Sequence, residues 1–259
     1  MEYIIKDLLH AADMEGLEAV QQSAWGYDDR DTTPGSLFTV HAHMGGVVCA
    51  AFVSTDPQTP VGFAYGFPAI YKTKLVHHSH MLALHQDHRA SGLAVRLKLH
   101  QRARAIELGH ELMTWTFDPL LTKNARLNLG KLGARAVSYH ANWYALRGGI
   151  YAGLPADRFF VEWDLTKPHF ERPKTPANGT VVLAATGAGA GQPVLGISDR
   201  VLLIQSPRDI DSLKKSNLAA AATWREAHRS AFGHYFGRGY VVTDLHDDGT
   251  TTFYKLEMP

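Results

Sequence analysis

The feature that most constrains the fold is the stretch His77–Gly109, HHSHMLALHQDHRASGLAVRLKLHQRARAIELG. Its apolar run with polar interruptions, His78–Leu84, predicts a buried strand. A polar turn follows at His85–His88, and Arg89–Ala94 then leads into a helix that ends near Gly109. Four apolar residues recur at helical spacing, and we expect them to form the buried face of that helix: Val95, Leu99, Ala103 and Ile106.

The loop before this helix has the features of an anion-binding site. Gly92 lets the backbone come close to a ligand, and Ala94 adds little bulk. The first amide N–H groups of a helix have no partners within it and carry a partial positive charge, which suits a pyrophosphate. Ser91 is the expected cap of the helix. Arg89 could add a charged contact or remain a solvated loop residue.

The pattern Arg-x-x-Gly-x-Ala at Arg89–Ala94 resembles the acyl-CoA loop of the GCN5-related N-acetyltransferases (GNAT). A second short apolar strand, Glu111–Phe117, is followed by Asp118-Pro119 and by a segment with Asn124-Ala125 and Lys131-Leu132-Gly133, which is similar to the next segment of that family. Further motifs resemble a bacterial branch of acyltransferases associated with N-acylamino-acid racemases: Trp25-Gly26, Gly45-Gly46, Ser79-His80-Met81 and Asp157-Arg158-Phe159. The resemblance extends over roughly residues 1–165.

The resemblance implies an α/β (α+β) fold of the GNAT type, a mixed sheet whose central parallel strands splay apart. We expect this acyltransferase domain to occupy residues 1–166. A linker with three prolines, Lys167–Asn178, separates it from a small α+β extension over residues 167–259. Between Ala11 and Trp25 the apolar spacing predicts a single helix. Strands are expected at Val47–Val53 and Pro60–Phe67, with a loop at Pro68–Leu75.

The resemblance also implies an acyl-CoA cosubstrate that enters between the two splayed strands. Acetyl-CoA is the expected donor, and succinyl-CoA with an amino-acid acceptor is the narrower expectation from the branch. Backbone groups of the first strand would pair with the pantetheine arm, and the loop would hold the phosphates. The expected cofactor-binding residues are Leu82, Ala83, Leu84, Arg89, Ala90, Ser91, Gly92, Leu93, Ala94, Asn124 and Asn128.

The resemblance implies that this part of the first strand carries the general base, and His78 and His80 are the expected candidates. Side chains two apart share a strand face, and an imidazole titrates near neutral pH. His78 and His80 could equally be histidines that only form hydrogen bonds in the interior. Asp118, at the end of the next strand, is the alternative base or a turn residue. The sequence departs from the family at Leu129, where many relatives have a tyrosine as general acid. Tyr144 could substitute for it, as could Tyr139.

Acceptor recognition depends on residues whose ordinary roles are equally compatible with the sequence. An amino-acid or succinyl carboxylate would favour an arginine fork. The candidate substrate-binding residues are Trp25, Tyr27, Arg126 and Arg158, with Arg147 as a further arginine. Each arginine could instead be a solvated or ion-paired surface residue, and Trp25 could simply be an aromatic residue at a helix end.

Composition limits the class of partner. The net charge of +1 gives no electrostatic case for nucleic acid, the single cysteine excludes an intrachain disulfide, and no apolar run is long enough to span a membrane. We expect a cytoplasmic protein that acts on a small amine, with a homodimer as a possible assembly. Five histidines lie between His77 and His88, but without cysteine or a helical zinc motif we expect no metal.

Two other functions stay open at this point. Leu129, in place of the usual tyrosine, is compatible with a non-catalytic acyl-CoA-binding regulatory module. An aminoacyl-transferase that uses charged tRNA is the third hypothesis, and the near-neutral charge argues against it.

Overall fold

A computed structural model describes residues 1–144, 153–173 and 176–259 of the chain. These residues form two compact units. The first comprises residues 1–115 and 164–168, and the second comprises residues 116–144, 153–163, 169–173 and 176–259. The domain bounds 1–166 and 167–259 stay a prediction. Within the described ranges, no helix combines the length and the apolar character that crossing a bilayer would need.

The first unit is built on a mixed sheet whose strands follow the order β1-β2-β3-β4-β5. Neighbouring strands are antiparallel except for β4 and β5, which are parallel. The bounds are β1 Tyr3–Asp7, β2 Val47–Val53, β3 Asp56–Tyr71, β4 Lys74–Leu84 and β5 Leu112–Phe117, of which Leu112–Trp115 belong to this unit.

The hairpin between β3 and β4 is longer than the sequence predicted. The loop expected at Pro68–Leu75 is wrong, because the two strands stay paired as far as Tyr71 and Lys74. Lys72 and Thr73 have φ values of 47° and 66° and form the turn. A two-residue turn with positive φ at both positions matches the twist of the strands, so pairing continues up to it.

Helices cover both faces of this sheet. They are α1 Leu17–Trp25, α2 Gly35–His43 and α3 Leu93–Glu107, with a 3-10 turn at Ala11–Met14. The single helix predicted from Ala11 to Trp25 is wrong, because Gly16, with φ 82°, separates the 3-10 turn from α1. One core cluster joins α1 and α2 to the sheet, and a second joins α3 to its other face.

The buried face of α3 is also not the predicted one. Ile106 is 41% exposed, whereas the buried residues are Leu93, Leu97, Lys98, Gln101 and Ala105. Two of these are polar, and they bond to each other inside the core: Lys98 Nζ lies 3.2 Å from Gln101 Oε1. Apolar periodicity alone cannot detect a face that contains a buried lysine.

The second unit has a six-stranded arrangement in the order β7-β6-β12-β13-β11-β8 and a separate hairpin, β9–β10. Its strands are β6 Arg135–Tyr144, β7 Ala156–Asp164, β8 Thr180–Leu183, β9 Ala185–Thr186, β10 Gly189–Ala190, β11 Val201–Gln205, β12 Val241–Asp247 and β13 Thr252–Glu257. Its helices are α4 Thr122–Ala125, which continues as a π-helical segment Arg126–Lys131, α5 Ile210–Ser216 and α6 Leu218–Gly237.

Candidate functional site

The loop before α3 presents unpaired backbone amides. Gly92 is the N-cap of α3 with φ 79°, and Ala90 also has a positive φ of 60°. Among the residues that the structure describes, the amide N–H groups of Ala90, Ser91, Gly92 and Ala94 have no protein acceptor. The surface over Gly92 is open, since a Cβ placed there would meet nothing within 4 Å. The loop therefore has the geometry of an anion-binding site.

Two side chains fix the shape of this loop. Ser91 is not the helix cap that the sequence predicted; its hydroxyl donates to His88 O at 2.7 Å, and the Leu93 amide reaches its Oγ only at 3.4 Å. Arg89 Nη2 donates to Ala24 O at 2.7 Å, near the C-terminal end of α1. A guanidinium is favourable at a helix C-terminus, so Arg89 ties the loop to α1. Its contact with a cofactor stays a prediction.

The neighbouring strands β4 and β5 diverge, as the family resemblance implied. Their parallel pairing consists of His77 with Met113 and His78 with Thr114. On its other edge β4 stays paired with β3 as far as Leu84. Within the first unit, the segment Leu82–Leu84 therefore pairs on one edge only. The free edge leads towards the loop at Ala90–Ala94 and could pair with an extended ligand.

A β-bulge in β4 accompanies this divergence. On β3, the successive residues Tyr65 and Gly66 pair with Met81 and Ser79, which leaves His80 as the extra residue. A bulge bends its strand and redirects a side chain. The bulge thus lies immediately after the last residue of β4 that pairs with β5, and it turns His80 towards solvent, where the residue is exposed.

The two predicted bases differ in environment. His78 is half-buried, and its Nδ1 lies 3.0 Å from Thr114 Oγ1. Burial, with smaller contributions from His80 and Lys98, lowers the pKa of His78 to about 4. His78 is thus neutral near pH 7 and a weak base. The exposed His80 lies close to it, with 6.2 Å between the ring centroids.

Three residues that the sequence did not single out join these histidines. His41 on α2 and Tyr65 and Phe67 on β3 form, with His78 and His80, what we call the histidine–aromatic cluster. Tyr65 OH bonds to His41 Nδ1, and the Phe67 ring lies 5.6 Å from His78 and 5.8 Å from His80. No sequence motif links residues so far apart, so only the fold could reveal the cluster.

The predicted aromatic acceptor residues also lie in the first unit. The rings of Trp25 and Tyr27 are 5.1 Å apart, and both residues are half-buried. Trp25 packs against the buried Phe63 at 6.5 Å, which makes it part of the core between α1 and β3. A substrate role for Trp25 and Tyr27 stays a prediction.

Asp118, the alternative base, belongs to the second unit and is held in an ion pair. It is 6% exposed, and its Oδ2 lies 2.6 Å from Nη2 of the buried Arg225. Its Oδ1 accepts the Leu120 amide at 2.8 Å. Both carboxylate oxygens are thus used in the structure, and a general-base role would require this pair to break.

The other candidates of the second unit have structural partners. Arg126 pairs with Asp247 at 3.2 Å. Arg158 donates to Thr116 O at 3.1 Å and lies over the Tyr144 ring, 5.3 Å from its centroid. These contacts are the ordinary structural roles that the sequence left open.

Asn124 is exposed and Asn128 is buried, so their surroundings differ. Leu129 is fully buried, and the alternative acid Tyr139 donates to Asp157 at 2.6 Å. Arg147 lies outside the described residues. No three histidine, cysteine or acidic residues of the described ranges are grouped to hold a metal ion.

Comparison with solved structures identifies the fold. The ribosomal-protein-S18-alanine N-acetyltransferase of Escherichia coli matches with a TM-score of 0.50 and 13% identity, over 63% of this chain and 94% of the other. A GNAT-family acetyltransferase of Streptococcus pneumoniae matches with 0.50 and 13%, over 63% and 99%. The chain has the GNAT acetyltransferase fold.

A third GNAT-fold match is a Salmonella typhimurium structure, described as a candidate acetyltransferase with its cofactor acetyl-CoA. It has a TM-score of 0.50 and 15% identity, over 63% of this chain and 94% of the other. Since these matches cover nearly all of the other chains, the rest of this chain lies beyond the shared GNAT fold. No family model and no curated protein matches the sequence.

Proposed function

We propose that this protein is an acyl-CoA-dependent N-acyltransferase that acylates a small amine. The observation that carries the proposal is the set of unpaired amides at Ala90–Ala94 on the GNAT fold, next to a β4 edge that β5 leaves free. The amides suit the phosphates of an acyl-CoA, and the edge at Leu82–Leu84 suits the amide groups of its pantetheine arm. Acetyl-CoA is the proposed donor, with succinyl-CoA and an amino-acid acceptor as the narrower proposal.

The chemistry needs a group that accepts the proton of the amine, because an ammonium titrates near pKa ~10 and cannot attack while protonated. His80 is the proposed base, since it is exposed, whereas burial lowers the pKa of His78 to about 4. The amine nitrogen then bonds to the thioester carbonyl carbon, and the C–S bond breaks. The attacking nitrogen loses its second proton to solvent as the amide forms, and the thiolate takes a proton from solvent, because Leu129 has no hydroxyl to donate.

Binding of CoA tests the proposed phosphate-binding site at Ala90–Ala94 directly. In Gly92→Asp, side-chain bulk and negative charge are placed where the phosphates would bind, so we expect binding by titration calorimetry to be abolished. Gly109→Asp is the matched control, because Gly109 also has a positive φ, 83° against 79°, and open space around its Cβ position. It lies at the other end of α3, so its affinity for CoA should equal that of the wild type. If Gly92→Asp bound CoA with the affinity of the wild type, the loop would not be the phosphate-binding site.

Turnover tests the reaction. Release of free thiol is measured with acetyl-CoA and succinyl-CoA against a panel of amino acids and other small amines. We expect turnover with at least one pair, and a large loss of kcat in His80→Gln without a change in CoA affinity. Full activity of His80→Gln would exclude His80 as the base.

A non-catalytic acyl-CoA-binding module is the second candidate, and the burial of Leu129 at the usual tyrosine position favours it. It predicts CoA binding that Gly92→Asp abolishes, no thiol release with any acceptor, and full CoA binding after replacement of His78 or His80. The two assays together therefore separate an enzyme from a binding module.

A further inference from the structure

The orientation of His80 needs support from side chains. His80 is the extra residue of the β-bulge, so the regular ladder between β3 and β4 does not fix its direction. The rings beside it belong to the histidine–aromatic cluster: Tyr65 lies 5.9 Å away at 86°, and Phe67 lies 5.8 Å away. A base must be held in a narrow geometry to accept a proton efficiently. The Tyr65 and Phe67 rings lie close enough to His80 to restrict the orientation of its imidazole.

Tyr65 is the central member of this support. It is 1% exposed, and its ladder partner Met81 directly follows the bulge. Its ring contacts Phe38 at 4.8 Å and Phe67 at 5.9 Å, so it packs against α2 as well as along β3. Burial raises the pKa of Tyr65, which keeps the hydroxyl protonated, and a buried hydroxyl needs an acceptor.

His41 provides that acceptor. Its Nδ1 bonds to Tyr65 OH, and the two rings are stacked at 5.6 Å with 10° between their planes. The His41 ring also lies 5.1 Å from Phe67. His41 is in the last turn of α2, so a side chain of this helix contacts both rings beside His80, those of Tyr65 and Phe67.

The geometry points to His41 and Tyr65 as positioning residues for His80: the hydrogen bond fixes the Tyr65 ring, and that ring with Phe67 fixes the imidazole of His80. The inference rests on the proposed function, in which His80 accepts the proton of the amine. Neither His41 nor Tyr65 is proposed to touch the substrate. Through His41, the C-terminal end of α2 thus helps to set the orientation of His80.

Three variants test the inference by separating kcat from KM. Tyr65→Phe keeps the ring and loses the hydroxyl, and His41→Leu removes the acceptor. Each is expected to lower kcat by about tenfold, since a small misplacement of a base is costly. KM for acyl-CoA should not change, because the proposed phosphate-binding site lies on the loop before α3. His41→Asn is the conservative variant: its Oδ1 can accept near the position of Nδ1, so kcat should recover most of the loss.

A spectroscopic readout makes the inference independent of turnover. The nuclear Overhauser effect between the ring protons of His80 and Phe67 should weaken in Tyr65→Phe and His41→Leu and persist in His41→Asn. If the wild type shows no thiol release with any pair, the proposed function fails, and this signal still decides the positioning role. Unchanged signals and kcat in the first two variants would overturn the inference. So would an equal loss in His41→Asn, which would indicate a general packing defect.

Discussion

The burial of Lys98 leads to a prediction about how the free energy of unfolding depends on pH. Its side chain is 2% exposed, and Nζ lies 2.7 Å from Ser79 Oγ, 3.4 Å from Met113 Sδ and 4.1 Å from the Trp115 ring centroid. Burial lowers its pKa from 10.5 to about 7. The partners in these contacts are neutral, so little in this part of the core offsets the cost of a buried ammonium.

The sign follows from linkage. The folded pKa lies below the unfolded one, so between pH 7 and 10.5 the unfolded chain binds more protons, and stability rises with pH in that window. A pKa difference of this size costs the folded state about 5 kcal/mol below the window, and about 2 kcal/mol is recovered between pH ~7 and ~9. In Lys98→Met this gain should vanish, and the variant should be more stable than the wild type at pH ~7.

The assay is urea unfolding of the wild type and Lys98→Met at several pH values across this window. Lys74→Met is the matched control, because Lys74 is exposed at the start of β4 and its loss removes the same charge. The control should keep the wild-type pH dependence. Ser79 and Gln101 keep their own hydrogen bond of 2.7 Å in the Lys98 variant, so no new unpaired group arises there. Parallel curves for wild type and Lys98→Met would refute the reasoning.

Two further predictions concern buried groups outside the candidate site. Asp118→Ala leaves the buried Arg225 without its carboxylate partner and should lower the free energy of unfolding by about 3–5 kcal/mol. Adding Arg225→Met should restore part of that free energy. Equal stability of the single and the double variant would contradict this. Burial raises the pKa of the fully buried Cys49 to about 12, so iodoacetamide should label it only after unfolding, and rapid labelling of the native protein would show that the site is open.

The sequence predicted those parts of the fold that depend on local chemistry. The strand Val47–Val53 follows from an apolar run and has the predicted bounds. The loop at Arg89–Ala94 was predictable because its glycine and the following helix are adjacent in the chain. The splayed strands followed from the family resemblance and not from the residues themselves.

The errors arise where tertiary contacts decide. The buried face of α3 was predicted wrongly because Lys98 and Gln101 bond to each other and to Ser79 inside the core, which no periodicity reveals. The His41–Tyr65 bond joins α2 to β3 and depends on how the helix packs. Nor does the sequence signal that His80 is the extra residue of a bulge, since that is a property of the register with β3.

The bulge at His80 has a consequence for protein engineering. Because His80 is the extra residue, deleting it would join Ser79 to Met81, whose partners Gly66 and Tyr65 are already successive on β3. The ladder would become regular, and the pairs from Met81 to Leu84 would stay unchanged. Chimaeras that replace β4 with a regular strand from another protein must therefore be one residue shorter than the native segment to keep Met81–Leu84 opposite the same residues of β3. A graft of the native length that lacks the bulge would shift these four residues by one place and turn each side chain to the opposite face of the sheet.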